Sequence, residues 1–309
     1  MTGRRRYRSF VMDSARWDGF EFRDGDIVIS TPPKCGTTWM QMICALLVLQ
    51  DPALGGNRLV DLSPWLDMQT LPLADVLAIL DAQTHRRFIK THTPLDGLPD
   101  DGRVSYVFVG RDPRDVGFSW DDHIKNIDPG RFLQVRADAV GLDDLPELPQ
   151  AMPSALDDQM QRFWEWVDSE VPPTDYPGTL RATLHHAQSF WDRRDDPRIA
   201  LFHYATMQAD LAAEMRRLAS FLGIDVAEDV WPALVEAATF DRMKERAQHL
   251  APNVDTPFWV DTTSFFKAGT KRRFESLLGG DDQRRYLARI DELVAEGVVG
   301  EDVVAWLHR

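Results

Sequence analysis

Four short apolar runs punctuate this chain, at Asp26–Ser30, Arg87–Lys90, Ser105–Val109 and Ile199–His203. Their length and β-branched content predict buried strands. Helical spacing fills the intervals. Thr37–Gln50 is apolar almost all round, as expected of a helix packed inside the molecule. Gln208–Gly223 places Leu211, Met215, Leu218, Phe221 and Leu222 at helical positions, with Gly223 as the expected C-cap. Strands alternating with helices predict an α/β fold, a parallel β-sheet flanked by helices. Ligands of such sheets bind at the carboxyl ends of the strands. Asp128–Thr183 breaks the pattern. Its prolines (146, 149, 153, 172, 173, 177) and the aromatic run Arg162-Phe-Trp-Glu-Trp166 predict loops and short helices, a lid or insertion within one domain spanning 1–309.

The residues that follow the strand runs carry the chemistry. Asp26-Ile-Val-Ile-Ser-Thr-Pro-Pro-Lys-Cys-Gly-Thr-Thr-Trp39 leads from a strand through a Pro/Gly turn into a helix. Backbone N–H groups of such a turn, the helix N-terminus and the charge of Lys34 make a cradle for a phosphate or sulfuryl group. It lacks the Gly-x-x-x-x-Gly-Lys-Ser/Thr pattern of a Walker A loop. Phe88-Ile-Lys90-Thr-His92 ends the second strand, and alternation puts Lys90 and His92 on one side. After the third strand, Gly-Arg111-Asp-Pro-Arg114 opens a helix that presents Ser119 two turns later.

Together these segments resemble the cytosolic-type sulfotransferases that use 3′-phosphoadenosine 5′-phosphosulfate (PAPS). The first resembles that family's 5′-phosphosulfate loop. Arg111–Ser119 resembles its 3′-phosphate motif, and Lys90-Thr-His92 the strand bearing its base. Phe265-Phe-Lys-Ala-Gly-Thr-Lys-Arg-Arg-Phe274 resembles its Arg-Lys-Gly loop. Weaker matches lie at Ala200-Leu-Phe-His-Tyr204 and Ala238-Thr-Phe240-Asp-Arg-Met243. The matches run in order over residues 26–280, and the Pro- and Trp-rich middle resembles bacterial members more than animal ones.

The resemblance implies sulfuryl transfer from PAPS to a hydroxyl of an alcohol, phenol or glycolipid, with His92 as general base and Lys34 and Lys90 as cationic catalysts. It implies a nucleotide site of Lys34, Cys35, Gly36, Thr37, Thr38, Trp39, Arg111, Ser119, Tyr204, Phe240, Lys267, Ala268 and Gly269. Trp39 and Phe240 would cover the adenine, and Arg111 offers a two-pronged guanidinium to the 3′-phosphate. His123 follows the 3′-phosphate helix and packs or lines the pocket; His185-His186 reads as structural. Trp120, Phe163, Trp164 and Trp166 are candidates for an apolar acceptor pocket. The family's Arg-Lys-Gly stands here as Lys267-Ala268-Gly269, one basic residue short, with Arg272 and Arg273 able to compensate if the loop folds back. Two alternatives remain open at this point: a nucleotide or nucleoside kinase on a related core, and a module that binds the nucleotide without turnover.

Bulk numbers narrow the partners. Basic residues number 35 and acidic ones 49, a net charge of −14, which disfavours nonspecific nucleic-acid binding. Positive charge must then be concentrated at the motifs. The basic run Arg4-Arg5-Arg6-Tyr7-Arg8 precedes no apolar segment, so no secretory signal is expected, and Ile43–Leu49 falls far short of the ~20 apolar residues of a membrane span. Cys35 and Cys44, roughly 13 Å apart if both lie on one helix, cannot pair; a reducing cytoplasm is expected. No Cys/His or paired acidic pattern has metal-ligand spacing, so a metal-free reaction is expected, with lysine charge in the metal's place.

Overall fold

A computed structural model describes residues 3–143, 158–246, 250, 259–261 and 272–309. Strand β1 (Ile27–Ser30) lies between β2 (Phe88–Thr91) and β3 (Ser105–Gly110), and β4 (Ile199–His203) pairs with β3. All pairings are parallel, in the order β2-β1-β3-β4. The strands fall within a residue of their predicted limits. The α/β reading of the sequence holds.

In chain order the helices are α1 (Thr37–Leu49), α2 (Leu59–Leu62), α3 (Leu73–Ala82), α4 (Pro113–Lys125), α5 (Pro129–Val140), α6 (Gln159–Asp168), α7 (Leu180–Trp191), α8 (Tyr204–Ala209), α9 (Leu211–Leu222), α10 (Trp231–Ala237), α11 (Phe240–Glu245), α12 (Phe274–Leu277), α13 (Gly280–Ala295) and α14 (Glu301–Leu307). Strand alternation sorts side chains into two core layers. Val28, Ile89, Tyr106 and Phe108 pack with α4, α6, α7, α13 and α14. Ile27, Ile29, Phe88, Val107 and Val109 pack with α1, α9 and α10. Helix α1 is apolar on all sides because it is enclosed: Ile43, Leu46 and Leu47 are buried, each contributing about 1.5–3 kcal/mol.

At the amino ends of the strands, the buried Arg87 guanidinium grips Asp26, Nε donating to Oδ1 at 2.9 Å and Nη2 to Oδ2. This pair fixes β2 against β1 before the strands run toward the site.

One expectation is corrected. The predicted helix over Gln208–Gly223 is broken at Asp210, whose carboxylate accepts from Ala213 N–H and caps α9; Gly223 closes it in the left-handed conformation as expected. Within Asp128–Thr183 the described residues form short helices and loops. Asp128 and Asp158 cap α5 and α6, accepting from the N–H groups of Arg131 and Met160. Phe163, Trp166 and Val167 then fall at helical spacing and bury against α4. Asp128, Pro129 and Asp158 are the helix-start residues here.

Candidate active site

Every strand ends on the same side of the sheet, and the predicted residues gather there. Between β1 and α1 the chain makes a tight turn with Lys34 at φ 68° and Gly36 at φ 99°. Left-handed residues in such a turn direct successive N–H groups to one concave side, an anion nest. Gly36 is required twice over: its φ disfavours any side chain, and a Cβ there would lie 2.9 Å from the Tyr204 ring. The Thr37 and Thr31 hydroxyls are hydrogen bonded at 2.5 Å. Thr38 and Trp39 follow in the first turn of α1, part-exposed. Cys35 and Cys44 are buried and free, Cys35 in the turn and not on the helix. Burial pushes both thiols up to about 12, so neither is a nucleophile near neutral pH.

The end of β2 delivers Lys90 and His92 to this turn, both buried. His92 Nδ1 lies 2.7 Å from the Thr31 carbonyl. A carbonyl only accepts, so Nδ1 carries the proton and Nε2 keeps its lone pair. Burial, then the nearby charge of Lys90, hold His92 well below its ordinary pKa, against the opposing pull of Thr31. The ring is therefore neutral at pH 7, as a base must be. Lys90 is lowered to about 7, first by burial and then by Lys34, partly offset by Asp67. The charge of Lys34 is thus felt at Lys90, which concentrates positive potential at the strand ends.

Arg111, just beyond β3, joins the two motifs. Its Nη1 donates to the Lys34 carbonyl at 3.0 Å, and its guanidinium lies 4.5 Å from the Tyr204 ring centroid. Its Nε is buried with no hydrogen-bond partner among the described residues. Ser119 sits in the second turn of α4, part-exposed. On the far side, Trp39 Nε1 donates to the Ala238 carbonyl at 2.8 Å, tying α1 to the segment that leads into Phe240. Trp39, Tyr204 and Phe240 all line the rim of the α1-side core. The structure thus brings Lys34, Lys90, His92 and Arg111 together, and Trp39, Tyr204 and Phe240 beside them. Lys267, Ala268 and Gly269 lie outside the described residues.

A family model for the sulfotransferase domain matches residues 24–296. The chain belongs to the sulfotransferase family. A glycolipid sulfotransferase of Mycobacterium bovis (strain BCG / Pasteur 1173P2) is 41% identical over 317 aligned residues, covering 100% of this chain and 95% of the relative. One from Mycobacterium tuberculosis (strain ATCC 25177 / H37Ra) is 40% identical, with 100% and 95% covered. Among solved structures, this sulfotransferase is similar to retinol dehydratase in a complex with retinol and adenosine 3′,5′-bisphosphate (PAP): TM-score 0.67, 20% identity, 91% of this chain and 84% of the other. A mouse sulfotransferase complexed with PAP gives a TM-score of 0.65 at 19% identity, covering 95% and 91%. These similarities confirm the fold.

Other sequence expectations about this sulfotransferase change. Phe163 and Trp166 are buried under α4, with Phe163 stacked on Phe118 at 4.4 Å. Trp164 packs against the Arg285 guanidinium at 3.9 Å. A small cleft opens beside His92, among Tyr7, Arg8, Met12, Pro94, Thr174 and His186. His186, expected to be structural, bonds Ser30 Oγ at 2.8 Å and reaches this cleft. His123 lies within the field of the site: burial lowers its pKa well below the usual value, followed by Lys34, Lys90 and His92. The guanidinium groups of Arg272 and Arg273 pair with Glu275 and Asp122. Asp115, not singled out in the sequence, accepts from the N–H groups of Arg272 and Phe274 at 3.2 and 3.3 Å. It docks that segment beside Arg111. No helix among the described residues is long and apolar enough to cross a membrane.

Proposed function

We propose that the protein transfers a sulfuryl group from PAPS to a hydroxyl of a glycolipid acceptor, with His92 as general base. One observation carries the reading: the neutral His92 imidazole, its tautomer set by Thr31, stands at the end of β2 beside Lys90 and within the field of Lys34. The residues present fit the donor. The unpartnered Arg111 Nε and the nest around Lys34–Gly36 are suited to the two phosphate-bearing ends of one nucleotide. Lys34, Cys35, Gly36, Thr37 and Thr38 would hold its 5′ side, Arg111 and Ser119 its 3′-phosphate, and Trp39, Tyr204 and Phe240 its base. When bound, PAPS supplies the sulfuryl group and a PAP leaving group.

His92 Nε2 takes the proton of the acceptor hydroxyl. Lys34 and Lys90 hold positive charge where in-line transfer builds negative charge, and the burial of Lys90 strengthens that interaction. The acceptor class is supported by the glycolipid sulfotransferase relatives. We read the chain as one domain, supported by a family match across most of its length. We place it in the cytoplasm, a reading supported by its two unpaired thiols.

The test is incubation with sulfur-labelled PAPS and lipid extract, with mass spectrometry of the product. A sulfated glycolipid is expected. PAP binding without transfer to any glycolipid, phenol or alcohol would reduce the protein to a nucleotide-binding module.

A further inference from the structure

Lys90 and His92 alternate along β2 with Thr91 and Thr93, so the two threonines point away from the site. Both donate to Oδ2 of the fully buried Asp67, at 2.5 and 2.6 Å. The same oxygen accepts from Trp17 Nε1 at 3.0 Å, and Asp67 Oδ1 accepts from Trp65 Nε1 at 2.5 Å. Four side-chain donors thus converge on one carboxylate. Two residues earlier, Trp65 returns to the front of the strand. Its ring centroid lies 4.3 Å from Lys90 Nζ and 4.6 Å from the His92 ring centroid, with the rings at 87°. The backbone follows: Lys90 N–H donates to the Pro64 carbonyl at 3.0 Å.

Among the described residues no carboxylate forms an ion pair with Lys90. Lys34 opposes its charge and Asp67 supports it from a distance. His92 from β2 and His123 from α4 are held neutral at pH 7. The ammonium of a long, flexible side chain is thus held at short range by the face of an indole, whose quadrupole attracts a cation.

We propose that Trp65 and Asp67 are positioning residues: the indole holds the Lys90 ammonium and packs against the His92 ring, while Asp67 fixes both the indole and the back of β2. This rests on the roles of Lys90 and His92 proposed above. One carboxylate thereby sets the register of the strand and the ring that covers it. Removing the ring leaves Lys90 buried beside Lys34 with less to favour its charge, so its pKa falls further.

The test has two arms, on Trp65→Phe and Trp65→Leu. Trp65 is part-exposed, so both changes suit folding better than any change at Asp67. Should Leu fail to fold, Met fills similar volume without a π face. First, the chain has only six lysines, so lysine ¹³Cε resonances of the unliganded protein can be followed against pH, Lys90 being identified by its loss in Lys90→Arg. Loss of the ring should move the Lys90 midpoint down by about one pH unit, equivalent to a cation–π contribution of about 1.4 kcal/mol. Phe should keep it near wild type. Second, kcat with PAPS should fall about tenfold in the Leu or Met variant with donor KM little changed, and Phe should restore most of it. An unchanged Lys90 midpoint, or an unchanged kcat in the ring-less variant, overturns the proposal. A wild-type protein that does not turn PAPS over refutes the catalytic reading instead, and the titration still reports on the ring.

Discussion

Thr31 and His92 come from adjacent strands, and the carbonyl of the first fixes the tautomer of the second at 2.7 Å. The tautomer of the proposed base is therefore set by the backbone of the turn between β1 and α1. His92→Ala should lower turnover by about 10²–10⁴ and leave PAP affinity almost unaltered, because the ring contributes no charge at pH 7. Calorimetry and initial rates decide it. Retained turnover with lost PAP affinity would move the base to His123.

Arg111 should make binding depend on the 3′-phosphate. PAP at about 100 times its Kd should stabilise the protein by roughly 2.7 kcal/mol. The analogue lacking the 3′-phosphate should give a much smaller thermal shift, and Arg111→Ala should erase the difference between the two ligands. Equal shifts with both ligands on the wild type would remove the role given to Arg111 and Ser119.

Lys90 predicts a pH dependence with a definite sign. Its pKa in the unliganded protein is lowered to about 7, and a bound anion must raise it. PAP affinity should then be highest below pH 7 and fall as pH rises through 7 toward the raised value in the complex. Near pH 8, binding should take up a proton, measured by calorimetry in buffers of different ionisation enthalpy. Lys90→Met should abolish the uptake. The same lowering acts on stability. The cost of burying the charge is fully present below about pH 7 and is relieved as pH rises toward the unfolded value near 10.5. Lys90→Met should therefore be more stable than wild type at pH 6, with the gap narrowing toward pH 10.

Lys34→Ala should cost about 10²–10³ in turnover, as when one strong donor to a developing charge is lost. Arg at this position should recover only part, because its planar fork does not reproduce a compact ammonium. Activity should survive a strong chelator. Abolition by the chelator with rescue by magnesium would contradict the charge roles of Lys34 and Lys90.

Breaking the Arg87–Asp26 pair tests the frame that aligns β1 with β2. Arg87→Met strands a carboxylate that is 1% exposed, and urea unfolding at pH 7 should show a loss of about 3–5 kcal/mol. A loss below ~1 kcal/mol would mean that water reaches Asp26.

The sequence by itself determined the strand–turn–helix units and their chemistry. Short apolar runs bounded by turns, and the residues after them, are local patterns; strand alternation alone put Lys90 and His92 on one side. The same locality left the limits of α5 and α6 undefined, because Asp128, Pro129 and Asp158 look like loop residues when read singly.

Only the tertiary structure decided which residues meet. Phe163 and Trp166 became core because α6 packs on α4, whereas Tyr7 and His186 reach the cleft beside His92 from distant parts of the chain. Trp65 and Asp67 belong to no motif and act through contacts with β2. The Thr31 carbonyl, which sets the His92 tautomer, is a backbone atom that any residue type supplies. Local pattern reports which face a side chain takes; which partner waits on that face depends on how distant elements pack.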